Sequence, residues 1–298
     1  MYVIILLTFV YMFYYLLSVF NQFSIPIKSI KKMATVDDGF NFKGPLGKIT
    51  FYKMKGVNKL VARSKSGPTA DQIKNDPAFA GSRKVNAEWK GVVKLSKAIR
   101  QGITKIDHLR DYNYPPFLKS VTSNILKANT EGTIGSRPLL LSKFRFLAEG
   151  FNLNTTRTLE SIISSPFQCS INRPALSATI DIPELLPGIN FRNPFKLPLY
   201  RLIFHLDTVS DFRYDALAAN YYPIDAHPNI GNTLYTDWQP FKNAEPATSV
   251  TIHAKRMTEI GENTSIIISG GVEFGMPDAS GMVEMLQTSG CGKVLKLG

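Results

Sequence analysis

The chain has 298 residues, 44% of them hydrophobic, with 21 Gly, 18 Pro and only two Cys. That composition excludes a disordered chain, a collagen-like chain and a small disulfide-stapled scaffold. It leaves a globular, turn-rich protein with room for two modest domains or one large one.

The net charge of +12 is unevenly placed. Residues 33–150 hold 21 Lys and Arg against 9 Asp and Glu, a net of +12. Residues 151–298 hold 11 against 14, a net of −3, and the first 32 residues add +3. A basic front joined to a mildly acidic back suggests two modules with different partners.

Residues 1–32 contain no Gly, Ala, Asp, Glu or Arg. Tyr2 to Phe20 is apolar except for Thr8 and Ser18, and about 20 such residues cross a bilayer core. Lys28, Lys31 and Lys32 follow the run, which sets the rest of the chain on the cytoplasmic side. There is no basic n-region and no small-x-small cleavage site, so a cleaved secretory leader is not expected. The competing reading is a translated upstream region, because the segment uses the residues that AT-rich DNA encodes. The expectation is therefore a start at Met33 and a cytoplasmic protein. The alternative is a single-pass membrane protein with a cytoplasmic body, and the membrane is a partner only if Met1 is the true start.

Lys48–Lys53 and Lys59–Ser64 are β-prone runs around Gly56, read as a hairpin. Lys48, Lys53, Lys55, Lys59 and Arg63 are its exposed positions. A short helix is expected after Thr69. Asp76-Pro77 then supplies an N-cap and a first-turn proline for a longer one. Val85, Trp89, Val92, Ser96, Ile99, Ile103 and Ile106 step by four and three along one face of that helix, which is read as its inward face. Lys90, Lys94 and Lys97 lie beside that stripe. A third helix is expected over Pro115–Lys127, with Phe117, Leu118, Val121, Ile125 and Leu126 inward.

From Leu139 the period changes to two. Strands are expected at Leu139–Phe151, Phe167–Asn172, Leu176–Ile182, Tyr200–Asp207, Ser249–Ala254, Ser265–Phe274, Met282–Thr288 and Lys293–Leu297. Residues 216–246 read as irregular, with one strand near Thr233–Trp238. The fold class expected is α+β, an N-terminal β-hairpin and helices followed by an antiparallel immunoglobulin-like β-sandwich. The domains are 1–32, 33–138 and 139–298.

The opening "GPLGKITFYKMKGVNKLVARSKSGP" and the later "FRFLAEGFNLN", "LIFHLDTVSDFRYD" and "IIISGGVEFGMPD" resemble an uncharacterised protein family of Bacteroidota. The resemblance covers Gly44 to Leu297. It implies a hairpin, helices and a β-rich remainder, and brings no activity and no residue roles with it.

Motifs that carry chemistry are missing. Gly47-Lys48 and Gly292-Lys293 are followed by Ile49 and Val294, so neither is a phosphate-binding loop. There is no GxGxxG after a strand and no GxSxG elbow. His108, His205, His227 and His253 form no HExxH or HxxxH pair, and His205 and His253 are read as satisfied or surface strand residues. Asp207, Asp211 and Asp215 recur every four residues but lack a calcium-loop pattern, and are read as a solvated strand end. Asp225 and His227 lack a nucleophile beside them. Cys169 and Cys291 are read as two buried thiols. No catalytic, cofactor or metal residue is expected.

The positive signal is the basic front. Lys48, Lys53, Lys55, Lys59, Arg63, Lys90, Lys94 and Lys97 form a candidate surface for nucleic acid or another polyanion. Trp89 and Tyr52 are expected in the core. The function expected is a non-enzymatic structural or protein-interaction role, with a protein partner or self-association. The alternative is polyanion binding through the basic region.

Overall fold

The structure, a computed structural model, describes residues 33–36, 44–53, 60–64, 67–228 and 230–298; the side chains of 33–36, 286 and 287 are excepted. It divides into two compact units between Gln72 and Ile73. The apolar segment 1–32 and the hairpin loop with Lys55 and Lys59 lie outside the described residues.

The first unit carries a four-stranded antiparallel sheet of β1 (Met33–Val36), β2 (Gly44–Leu46), β3 (Ile49–Lys53) and β4 (Leu60–Ser64), in the order β1-β4-β3-β2. The expected hairpin is its β3–β4 pair, with Phe51 opposite Ala62 and Tyr52 opposite Val61. Leu60 and Val61 are buried.

α1 (Ala70–Asn75) spans the division and begins at a reciprocal cap, in which the Thr69 amide donates to Gln72 Oε1 and the Gln72 amide to Thr69 Oγ1. Asp76 caps the 3-10 turn Pro77–Phe79 by accepting from the Ala78 amide. α2 (Ala80–Gly102) follows, then the 3-10 helix Thr104–Leu109 and α3 (Pro115–Ala128). Val92, Leu95 and Ile99 of α2 pack with Ile106 and Leu109 of the 3-10 helix and with Leu118 and Ile125 of α3.

The long strands are β7 (Leu199–Ser210), β13 (Thr264–Pro277) and β14 (Val283–Leu297). With β10 (Asn232–Tyr235) and the short β11 (Gln239–Pro240), which also pairs with β7, they form one antiparallel sheet in the order β10-β7-β13-β14. A smaller sheet joins β5 (Gln168–Asn172), β6 (Ser177–Ile182) and β12 (Thr248–His253) in the order β12-β6-β5. A hairpin of β8 (Phe212–Asp215) and β9 (Asn220–Pro223) completes the strands that matter here.

The long sheet is covered on both faces, because successive side chains of a strand point opposite ways. Ile203 and Val209 of β7, with Ile267 of β13 and Val294 of β14, join the helical core. Tyr200, Leu202, Phe204 and Leu206, with Ile266, Ile268, Val272 and Phe274, face the other way. There they meet Ile180 of the small sheet, Ile252 of β12, and Phe191. The rings of Phe191 and Tyr200 meet edge to face, with centroids 4.6 Å apart. The antiparallel, strand-rich α+β character thus holds. The helices cover the second face of the long sheet, a layer absent from the expected sandwich, so α2, α3 and that sheet share one core.

Two strand expectations fail for identifiable reasons. Residues 139–151 make one bridge, Leu139 to Phe212, and otherwise turn. The amides of Lys143, Phe144, Leu147 and Ala148 bond three residues back, and Asp211 holds the Ser142 amide and hydroxyl. Buried Leu139, Leu140 and Leu141 gave the stretch its strand-like look. In contrast, Met282–Thr288 and Lys293–Leu297 are one strand, β14, running through Gly290-Cys291-Gly292. The glycines there mark a close approach, not a break. A Cβ on Gly290 would lie 2.6 Å from Leu109 Cδ2, and one on Gly292 3.2 Å from Ile106 Cδ1. The 3-10 helix rests directly on them.

Among the described residues no helix is long and apolar enough to cross a membrane.

Candidate functional site

The stripe of α2 has two fates. Val92, Ser96 and Ile99 are buried, and Thr122 of α3 donates its hydroxyl to the Val92 carbonyl at 3.1 Å. Toward the N-terminus the stripe is exposed: Val85 is 59% and Trp89 49% exposed, and Val93, outside the expected stripe and next to buried Val92, is 36% exposed. Trp89 is therefore not a core residue, contrary to expectation: the periodicity continues past the end of the surface that buries it. Phe117 of α3, also expected inward, is exposed.

The charges around this stripe are one-sided. The only acid of α2, Glu88, is buried and forked by Arg137, with Nε at 2.7 Å and Nη2 at 2.9 Å, while the Gly135 amide donates at 2.9 Å. The Arg137 bond, set against burial, holds the Glu88 carboxyl below its usual range. What remains on the helix is Arg83, Lys84, Lys90, Lys94, Lys97 and Arg100.

Within the first unit, Lys53 and Arg63 of the sequence-derived polyanion candidates do not share a face. In β3–β4, Lys53 is opposite Leu60 and Arg63 opposite Thr50, so strand alternation points Lys53 and Arg63 to opposite sides of that sheet. Lys48 is exposed in the β2–β3 turn. Lys55 and Lys59 lie outside the described residues. Lys90 Nζ donates to the Ala219 carbonyl at 3.3 Å and Lys94 Nζ to the Tyr221 carbonyl at 2.6 Å, with Lys94 also 4.7 Å above the Tyr222 ring. These two lysines tie α2 to the β8–β9 hairpin. Lys97 is exposed.

Two titratable clusters that the sequence did not reveal lie on the helix-facing side of the long sheet. The first centres on Glu273, 1% exposed. Its Oε1 is 2.6 Å from His108 Nε2, and Arg201 Nε donates to its Oε2 at 2.5 Å. Burial pushes this carboxyl up, but the His108 and Arg201 bonds together outweigh burial and hold it below its usual range. The Arg201 guanidinium in turn lies 4.4 Å from the Tyr235 ring and 4.5 Å from the Trp238 ring. The cluster bolts the 3-10 helix to the sheet.

The second centres on Asp207, 9% exposed, at the end of β7. Its Oδ1 accepts from the Thr208 amide at 2.8 Å and lies 3.5 Å from His227 Nε2. Its Oδ2 lies 3.9 Å from His205 Nε2. His205, expected to be a surface or satisfied strand residue, is buried, and its Nδ1 meets Thr233 Oγ1 at 3.0 Å. Burial pushes this imidazole below its ordinary value, against the pull of Asp207. The carboxylate borders a cavity of about 420 Å³ with Gln101, Ser210, His227, Ala98, Val209 and Phe212 in its walls.

The other aspartates have separate duties. Asp211 is fully buried on Ser142, Asp215 caps the amides of Leu217 and Ala218, and Asp225 accepts from the Thr264 hydroxyl. The three aspartates spaced by four therefore do not converge. Among the described residues no three His, Cys, Asp or Glu side chains gather as a metal-holding group. Cys169 and Cys291 are unpaired thiols; burial pushes Cys169 up to about 11 and Cys291 higher still. A larger polar cavity of about 650 Å³ lies by Arg100, Arg110 and Asp111. Its charges are mostly spent internally, Arg110 on Asp107 and Asp111 on the amides of Thr155 and Thr156.

The spacing of Asp207 and His205 on one strand face was legible in the sequence. The third member, His227, arrives from a loop twenty residues on, and no local pattern announces it. No protein family, no curated protein and no solved structure matches this chain.

Proposed function

We propose that the protein is a non-enzymatic interaction protein whose docking face is the N-terminal half of α2, and whose partner is an acidic protein segment carrying apolar residues. The observation that carries this reading is the emergence of Val85, Trp89 and Val93 from the core as a solvent-facing stripe. An exposed tryptophan among aliphatic residues is the usual make-up of an interface hot spot. The only acid on the helix is already neutralised by Arg137, so the surrounding charge is positive and selects an acidic partner. Self-pairing of this helix across a two-fold axis would oppose like charges, which argues against a second copy as the occupant. The two sheets that enclose Phe191, Phe204 and Phe274 support the sandwich part of the fold expectation, and α2 packs on the other face of the long sheet.

The test is a photo-crosslinker at Val93 in the full chain, expressed in its native cell. The expected adduct is an acidic protein. Its purified form should lose affinity at least tenfold, about 1.4 kcal/mol, on Trp89→Ala. The substitution itself should alter folding stability by no more than about 0.5 kcal/mol, because the ring is half in solvent. An adduct with nucleic acid, with binding that falls steeply with salt and with Lys53→Glu, would instead establish the polyanion reading. An adduct with the chain itself would establish self-association.

A further inference from the structure

We propose that the cavity between α2 and the end of β7 binds a small organic cation, an ammonium group on an apolar body, with Asp207 as its counter-ion. This rests on a different part of the molecule from the α2 docking face. Asp207 is nine-tenths buried, yet among the described residues no lysine or arginine pairs with it. A buried carboxylate is costly unless it is paired or well bonded. Among the described residues its one amide bond, from Thr208, serves Oδ1. Across from Oδ2 stands the Nε2 of His205, at 3.9 Å, too far to share a proton.

A group with a positive charge and several N–H donors offers the carboxylate the pairing that no described lysine or arginine gives it, and an ammonium has both. Gly231 lets the backbone lie close against the carboxylate, since a Cβ there would lie 3.1 Å from Asp207 Oδ2.

The walls define the rest of the ligand. Ala98, Val209, Phe212 and Pro223 offer an apolar lining, with Gln101 and Ser210 as additional polar groups. A volume of about 420 Å³ is within the range of small-molecule sites. A divalent metal is disfavoured because the two imidazoles address different carboxylate oxygens at 3.5 and 3.9 Å and no metal-holding trio is formed among the described residues.

The experiment is calorimetric and NMR titration of the full chain with phenethylamine and with 2-phenylethanol, which shares the apolar body but has no charge. The amine should bind saturably and at least tenfold more tightly than the alcohol. Asp207→Asn, which keeps the acceptor for Thr208, should weaken the amine at least tenfold and leave the alcohol unchanged. Ala98→Leu fills the cavity from a helix position with the carboxylate intact, and should abolish binding of both, so a folding defect in the first variant does not decide the matter. Equal affinity for amine and alcohol overturns the proposal, as does amine binding that survives both substitutions. Tight zinc binding lost on His205→Ala and His227→Ala, with no amine binding, overturns it in favour of a metal site.

Discussion

Glu273→Ala is expected to destabilise the second unit by about 3–5 kcal/mol, the usual cost of removing one partner from a buried ion pair. The magnitude follows from burial. At 1% exposure the carboxylate has no water to replace Arg201 and His108, and its removal leaves the guanidinium facing an apolar sheet. Arg201 keeps its stacking on Tyr235 and Trp238, which limits the loss. Glu273→Gln retains the shape and one acceptor, and should cost about 1–3 kcal/mol. Urea unfolding of the three proteins measures the series, and an alanine cost under about 1 kcal/mol would show that the cluster does not bear on stability. The pH dependence has a defined sign. The folded carboxyl titrates below its ordinary 4.5, so the unfolded chain binds the proton first as pH falls. The stabilisation is therefore complete above about pH 4.5 and disappears as pH drops through the lower folded value. Glu88 and Glu160 are also held low and contribute in the same window, so Glu273→Gln should flatten the acid limb without abolishing it.

Gly271→Ala is expected to cost about 3 kcal/mol or more, at the upper end of overpacking effects. The added Cβ would lie 2.2 Å from the Cys291 carbonyl oxygen and 2.8 Å from Leu109 Cδ1. A flexible side chain moves aside, but a carbonyl in a paired strand does not: Gly271 is opposite Gly292 in the β13–β14 register. In a unit of this size that cost lowers Tm by about 6–12 °C. Because the backbone oxygen is the worse obstacle, adding Leu109→Ala should not restore stability. A Tm within about 2 °C of the parent would mean that the two strands and the 3-10 helix are not packed as closely as described.

Both substitutions fall on residues whose importance the sequence conceals. Gly290 and Gly292 read as a break between two strands, since a strand pattern interrupted by glycine usually ends there, while Gly271 reads only as a member of the strand Ser265–Phe274. The paired strand's backbone at Gly271 and Gly290, and the 3-10 helix above all three, supplied by residues over 160 positions before Gly271, explain why a side chain is excluded. Glu273 sits in the run "GGVEFG", where its charge reads as the solvent-facing member of an alternation. It is buried because helices cover the face expected to be open. The same cover accounts for His205 and Asp207.

Local chemistry was read more directly. The Thr69 cap, α2 and α3, the β3–β4 hairpin, and the cores of β5, β6, β7, β12 and β13 were each evident from propensity and period, while Asp76-Pro77 opened a 3-10 turn just ahead of α2 and not α2 itself. These depend on neighbours within a few residues, which the sequence carries. The amphipathic period of α2 was also present, and with it a face containing Val85 and Trp89. Where that face stops being buried depends on the reach of α3 and the sheet, so period alone placed Trp89 inside when it is half in water.

The sequence by itself determined the secondary elements, the basic character of α2 and the absence of familiar catalytic motifs, because these are properties of short stretches. The tertiary structure alone decided which faces are covered and which charges meet. Two strand-like readings changed for that reason, Glu273 gained its partners, and Asp207 came to face two imidazoles. Burial and pairing depend on elements far apart in the chain, and no spacing within one element records them.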